Sequence, residues 1–149
     1  MKIKKAYTLI EILVVLCIFN ILFIIFSSGL KAYNRLKNAI VVEQCSNSIM
    51  TFINSCKQYC YYNEVEGYIL CDQSNNRFSF YSGSSRKKLL KLPQGCKLQL
   101  LNTASGKQKL NFDSKGFTSD ACTIKYLDLY DVEHKITISV GTAYVEIKN

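Results

Sequence analysis

The chain has one histidine, His134, and one proline, Pro93. A single imidazole excludes paired-histidine metal motifs, and no glycine-rich phosphate loop occurs. None of the seven cysteines stands in a CxxC pair. A zinc site drawn from Cys45, Cys56, Cys60 and Cys71 is disfavoured because zinc ligands are normally spaced more tightly. His134 lies in the polar run Asp131-Val132-Glu133-His134-Lys135. It reads as an exposed strand-edge residue, not a general base. No nucleophile–base pair, metal set or cofactor loop remains, so the sequence predicts no enzyme, metal or cofactor. Acidic side chains are also scarce, 11 against 19 basic ones, giving a formal net charge of +8. That balance attracts anionic surfaces without marking a nucleic-acid binder.

What the chain does have is one long apolar run. Lys2, Lys4 and Lys5 precede Ala6, and Tyr7-Thr8-Leu9-Ile10-Glu11 opens a stretch that continues to Phe26. About 20 nearly all-apolar residues suffice to cross a bilayer as a helix. Glu11 sits near the entrance of that helix, where a carboxylate is costly and calls for a partner. Cys17, inside the stretch, reads as a small apolar filler.

The basic leader, the small residue and Tyr7-Thr8-Leu9-Ile10-Glu11 resemble the N-terminus of type IV prepilins and pseudopilins. The resemblance implies cleavage between Ala6 and Tyr7 by a prepilin peptidase, with methylation of the new Tyr7 amine. It implies that Glu11, fifth in the mature chain, pairs with the N-terminal amine of a neighbouring subunit. A buried carboxylate is tolerable beside such a cation. Loss of residues 1–6 removes three lysines, leaving 16 basic and 11 acidic side chains, a net charge of +5. The family usually has Gly where this chain has Ala6, and Phe where it has Tyr7. Many pilins carry Pro near the end of the membrane helix, whereas this chain reads Phe26-Ser27-Ser28-Gly29, where Gly29 and the serines could bend or locally melt the helix. A plain signal anchor, or a secretory signal peptide ending near Ser27-Ser28-Gly29, would also be apolar after lysines. Neither asks for Glu11.

Past the membrane stretch the helical pattern continues. Val42, Cys45, Ile49, Phe52, Ile53, Cys56 and Cys60 recur at steps of three and four, with Lys37, Glu43, Asn47, Asn54 and Lys57 between them. That spacing predicts an amphipathic helix with one buried stripe, ending near Tyr59–Asn63. A single helix from Tyr7 to about Tyr62 would span roughly 80 Å at about 1.5 Å per residue. The six cysteines beyond Cys17 are expected outside the membrane, where an oxidising compartment permits disulfides. The sequence does not choose among their pairings. Cys56 and Cys60 share one helix face, an awkward geometry for a mutual bridge.

After Asn63 the period changes to two. Tyr68–Cys71, Arg77–Phe80, Lys88–Leu92, Cys96–Leu101, Lys109–Phe112, Thr123–Tyr126, Lys135–Val140 and Ala143–Ile147 read as short strands between glycine breaks. The expected fold is α+β: a long N-terminal membrane-spanning helix whose soluble half packs on a small antiparallel β head. The expected divisions are a leader over 1–6, a transmembrane and assembly helix over 7–28, its soluble continuation over 29–62, and a head over 63–149. Phe112-Asp113-Ser114-Lys115-Gly116-Phe117 and the final run Ile136–Val145 are similar to the last strands of H-type minor pseudopilins of type II secretion. Minor pilins of competence and twitching systems end similarly.

The resemblance implies a minor pilin or pseudopilin in the inner or plasma membrane, with an extracytoplasmic head, incorporated in a filament; the H-type likeness implies a place at the filament tip. Its partners would be other pilins, the prepilin peptidase, the membrane assembly platform and membrane lipid. A second reading is DNA capture for uptake. Arg86, Lys87, Lys88 and Lys91 place four positive charges near a hairpin turn, and aromatics such as Tyr81 could stack bases. A solvated turn with the aromatics in the core is the simpler account of the same residues.

Overall fold

This computed structural model describes residues 8–103, 108–118, 121–140 and 145–148. One α-helix, α1 (Leu9–Asn63), is followed by eight strands: β1 (Gly67–Asp72), β2 (Arg77–Ser82), β3 (Ser85–Lys91), β4 (Lys97–Thr103), β5 (Lys109–Phe112), β6 (Cys122–Leu127), β7 (Glu133–Ile138) and β8 (Val145–Lys148). The chain divides into two compact units, Met1–Lys37 and Asn38–Asn149.

The described part of the first unit is helix. Leu9, Ile10, Leu13, Phe19, Phe23 and Phe26 are all more than half exposed, so its apolar side chains point to every side. A helix that is apolar all round needs lipid or other helices around it. Its most apolar 18-residue window has a mean hydropathy of 3.0. The polar side chains inside it turn back on their own helix. Asn20 Nδ2 donates to Leu16 O at 2.8 Å and Ser27 Oγ to Ile24 O at 3.0 Å. Such local bonds satisfy polar groups where no water is available. The helix is unbroken through Ser27-Ser28-Gly29.

In the second unit α1 is one-sided. Cys45, Ile49, Phe52, Ile53, Cys56 and Cys60 are buried, as their spacing predicts, and Val42 is half-buried. They join a single core with the strands. The first sheet has the order β3-β2-β1-β5 and the second β4-β6-β7-β8, with every pairing antiparallel. Period-two alternation decides what each sheet contributes. Ile69, Phe78, Phe80, Leu110 and Phe112 come from the first, and Leu98, Leu101, Ile124, Tyr126, Ile136 and Ile138 from the second. Phe52 packs on Phe78 with centroids 6.4 Å apart, and Tyr59 meets Phe80 edge-on at 5.6 Å. Each large side chain buried here contributes about 2 kcal/mol.

Two expectations are corrected. The strand begins earlier than Lys88: the expected hairpin turn is the two-residue Gly83-Ser84, which closes β2–β3 at Ser82↔Ser85, so Arg86 and Lys87 lie within β3 together with Lys88 and Lys91, at the edge of the first sheet. His134 is not an exposed edge residue. It lies on β7, between β6 and β8, with 19% of its side chain exposed. The predicted final strand is present as Val145–Lys148, while Ala143 and Tyr144 fall outside the described residues.

Candidate functional site

Three places among the described residues bear on function. The first is the start of α1. Glu11 Oε2 accepts from the Thr8 backbone N–H at 2.7 Å and from Thr8 Oγ1 at 3.0 Å, while Glu11 N–H faces Thr8 Oγ1 at 3.4 Å. This is a reciprocal capping box, in which residues three apart satisfy the open amides of a helix start. The helix dipole adds to it, since an anion is favoured at this end. Thr8-x-x-Glu11 is a sequence signature of such a cap, easily overlooked when Glu11 is read only as a carboxylate in a membrane segment. Ala6 and Tyr7, the expected cleavage pair, lie outside the described residues.

The second place is the basic strip. β3 pairs with β2 through Phe80↔Lys88 and then Tyr81↔Arg86, leaving Lys87 as the extra residue of a bulge. Alternation therefore separates the predicted cluster. Lys88 is opposite buried Phe80, and its Nζ donates to Ser55 O of α1 at 2.9 Å. Arg86 pairs instead with Tyr81, which stacks on Tyr68 with centroids 5.3 Å apart, and Lys109 Nζ sits 3.8 Å from the Tyr68 ring centroid. One cross-strand row thus joins Tyr68, Tyr81 and Arg86, with Lys109 over the first ring. Lys91 is opposite Arg77, which is paired with Asp72 at 2.9 Å. Exposed lysines on an edge strand also have a purely protective use, since they oppose pairing with another sheet.

The third place is a buried polar cluster that sequence spacing does not reveal. Asp128, 5% exposed, accepts from Asn38 Nδ2 at 2.7 Å, from the N–H groups of Tyr130 and Val132 at 2.8 and 2.9 Å, and lies 3.3 Å from His134 Nε2. Burial alone would push this carboxyl up. The bonds from Asn38, Val132, Tyr130 and His134 together outweigh burial and hold it down at about 2. His134 stacks on Tyr126 at 5.3 Å. The Tyr126 hydroxyl is 2.6 Å from Ser46 Oγ and donates to Val42 O at 3.3 Å. All these groups are spent on one another, tying α1 to the second sheet.

Open grooves border α1 within the second unit. One of about 740 Å³ runs from Ile40 to Ser55 and reaches Leu90; another of about 430 Å³ lies between Lys57, Tyr61 and Phe117. Neither gathers an acid–base pair. Among the described residues no three His, Cys, Asp or Glu side chains come together as a metal site.

A long N-terminal helix, apolar in its first part and packed in its second against antiparallel sheets, defines the α+β architecture of pilin-like proteins. Among solved structures the chain is similar to the minor pseudopilin EpsH from the type 2 secretion system of Vibrio cholerae. The match covers 71% of this chain and 94% of that one, with a TM-score of 0.51 and 14% identity, so the likeness is one of fold. No family model and no curated protein sequence matches the chain.

Proposed function

We propose that the protein is a minor pilin or pseudopilin, a structural subunit that enters a type IV pilus-like filament or type II secretion pseudopilus through its N-terminal helix. The observation that carries this is the joining of two properties in α1. Its first part exposes apolar side chains on every side, and its second is the spine of a head with the fold of a pseudopilin. A helix whose apolar side chains stand exposed along some 18 residues is suited to lipid first and to other such helices later.

In this reading residues 1–6 are a leader cut by a prepilin peptidase before Tyr7, whose amine is then methylated. Residues 7–28 form the transmembrane and assembly helix, 29–62 its soluble continuation and 63–149 the head. The protein is a single-pass inner or plasma-membrane protein with an extracytoplasmic head until assembly, and a platform in that membrane receives it. Glu11 changes partners: in the single subunit it caps its own helix at Thr8, and in the filament it neutralises a neighbour's terminal amine. The work is mechanical, not catalytic. The H-type resemblance of Phe112–Phe117 and of the last strands supports a place at the filament tip.

The test is the intact mass and N-terminal sequence of the protein from membranes of its native cells. A chain starting at Tyr7 with one added methyl group supports the reading. A chain retaining Met1–Ala6 favours a plain anchor, and one starting after Gly29 overturns it.

A second reading, DNA capture by a minor pilin, is supported by the row of Tyr68, Tyr81 and Arg86 with Lys109 above it. Of the four basic residues first proposed, Arg86, Lys87 and Lys91 remain for it, because Lys88 is bonded to the helix. Salt-dependent binding of duplex DNA by the full chain in detergent tests it.

A further inference from the structure

Cys45 lies on the buried stripe of α1, and Cys96 lies immediately before β4. Residues 51 apart in sequence, they are brought together at one turn of α1: the Cys45 side chain leans back over the turn that begins at Val41, Cys96 packs on that same turn, and the two thiols are close enough to perturb each other. Cys96 Sγ also faces Val41 O at 4.0 Å, one helical turn before Cys45. The side chains are 0% and 2% exposed.

Cys96 is held in place from several directions. The turn Pro93-Gln94-Gly95-Cys96 closes with Cys96 N–H donating to Pro93 O at 3.2 Å, and Gly95 supplies the positive φ of 103° that such a turn demands. Asn76 then clamps the segment from the other sheet. Its Nδ2 donates to Cys96 O at 2.6 Å and its Oδ1 accepts from Leu98 N–H at 2.7 Å. Cys45 is fixed by the helix. Both cysteines are thus presented from fixed backbone on the two sides of one buried contact.

We propose that Cys45 and Cys96 are joined by a disulfide in the native protein, a covalent clamp between α1 and the first strand of the second sheet. The proposal rests on the extracytoplasmic head of the assembly reading, since that is where thiols meet an oxidant.

The oxidant is a carrier disulfide that works by thiol–disulfide exchange. The Cys96 sulfur, as thiolate, attacks one carrier sulfur, breaking the carrier's S–S bond and leaving a mixed disulfide. Cys45 gives up its proton and attacks the Cys96 sulfur, forming the intramolecular bond and expelling the second carrier sulfur. The carrier ends as a dithiol holding two electrons and two protons from the protein. The order follows from the contact itself: the bond from Cys45 favours the anion on Cys96, and the same bond, with burial, holds the Cys45 thiol well above the ordinary range. Both sulfurs are enclosed in the folded head, so the exchange happens while the head is closing. Cys56 and Cys71 also have thiols pushed up to about 12 by burial.

The experiment uses full-length protein from native membranes, quenched in acid, alkylated and digested with trypsin without reductant. The expected result is a covalent link between peptides 38–57 and 92–97, about 2 Da lighter than the sum of the two thiol peptides. Fragment-ion sequencing places the bond on Cys45 and finds Cys56 alkylated. Alkylated Cys45 and Cys96 in a chain that begins at Tyr7 overturn the disulfide and leave the assembly reading standing. A linked pair in a chain that keeps Met1 supports the disulfide and counts against processing. As a second readout, reductant should lower the melting temperature of the wild type in detergent by about 10 °C or more. It should leave a Cys45→Ala/Cys96→Ala variant unchanged, and an equal drop in both proteins would count against the clamp.

Discussion

Asn38 on α1 donates to Asp128 Oδ2 at 2.7 Å across 90 residues of sequence, and Asn38 Oδ1 accepts from Leu129 N–H at 3.3 Å. The two residues hold the β6–β7 turn to the helix. Leu129, Tyr130 and Val132 stand exposed on that turn. The turn's order therefore depends on one carboxylate more than on apolar burial.

The Asp128 carboxyl, held at about 2 against an ordinary 3.8, makes stability depend on acid. Its folded value is depressed, so its contribution is fully present above about pH 4 and is lost as pH falls towards 2. A shift of this size corresponds to about 2 kcal/mol. Asp128→Ala should cost about 3 kcal/mol at neutral pH, because Asn38 and two backbone amides lose their acceptor. Asp128→Asn should flatten the decline between pH 4 and 2 seen in thermal melts of the wild type. Identical acid slopes in the two proteins would assign the sensitivity elsewhere.

Gly116 adopts a φ of 75°, and a Cβ there would sit 2.8 Å from Lys57 O. The turn is closed by Asp113 Oδ1, which accepts from Lys115 and Phe117 N–H at 2.9 and 2.8 Å. Gly116→Ala would therefore strain the turn and push it off the helix. Destabilisation of about 2 to 4 kcal/mol is expected. Melts of the full chain in detergent check it, with Ser114→Ala on the same turn as a near-neutral control.

Most of the fold was readable because the second part of α1 and most of the strands obey their periods. The stripe from Cys45 to Cys60 and seven alternating runs each land on a described element, and the last does so from Val145 onwards. The start of β3 was not legible for a specific reason. Ser84-Ser85-Arg86-Lys87-Lys88 has no apolar alternation, because β3 is an edge strand with a bulge and needs none. The Asp128 cluster and the Cys45–Cys96 contact were hidden for another reason. They join residues far apart in sequence, and no local pattern encodes which distant side chains meet. His134 looked exposed because its neighbours are charged, yet Tyr126 covers one side of its ring.

If the outer row of the first sheet binds DNA, the residues that matter are Arg86, Lys87, Lys91 and Lys109. Replacing all four with Ala should weaken binding and flatten the slope of log affinity against log salt by about three to four units. Lys88→Ala should instead cost stability, since Ser55 O loses its donor, and leave the salt slope alone. Unchanged affinity in the fourfold variant would make the strip an edge-protecting device only.

Glu11 has two separable duties, and two substitutions tell them apart. Its carboxylate caps the helix at Thr8 in the single chain, a duty that a glutamine can share, since the capping box accepts either side chain. The proposed bond to a neighbour's terminal amine needs the negative charge. Glu11→Gln should therefore reach the membrane, be processed and keep its head folded, yet be incorporated into filaments at least about tenfold less, a difference near 1.4 kcal/mol per contact. Thr8→Ala should do the reverse: it weakens the cap by about 1 kcal/mol and leaves the charge in place. The measurement is the ratio of sheared filament protein to membrane protein for each variant in native cells. Wild-type incorporation of Glu11→Gln together with loss for Thr8→Ala would reduce Glu11 to a helix cap and remove the assembly salt bridge.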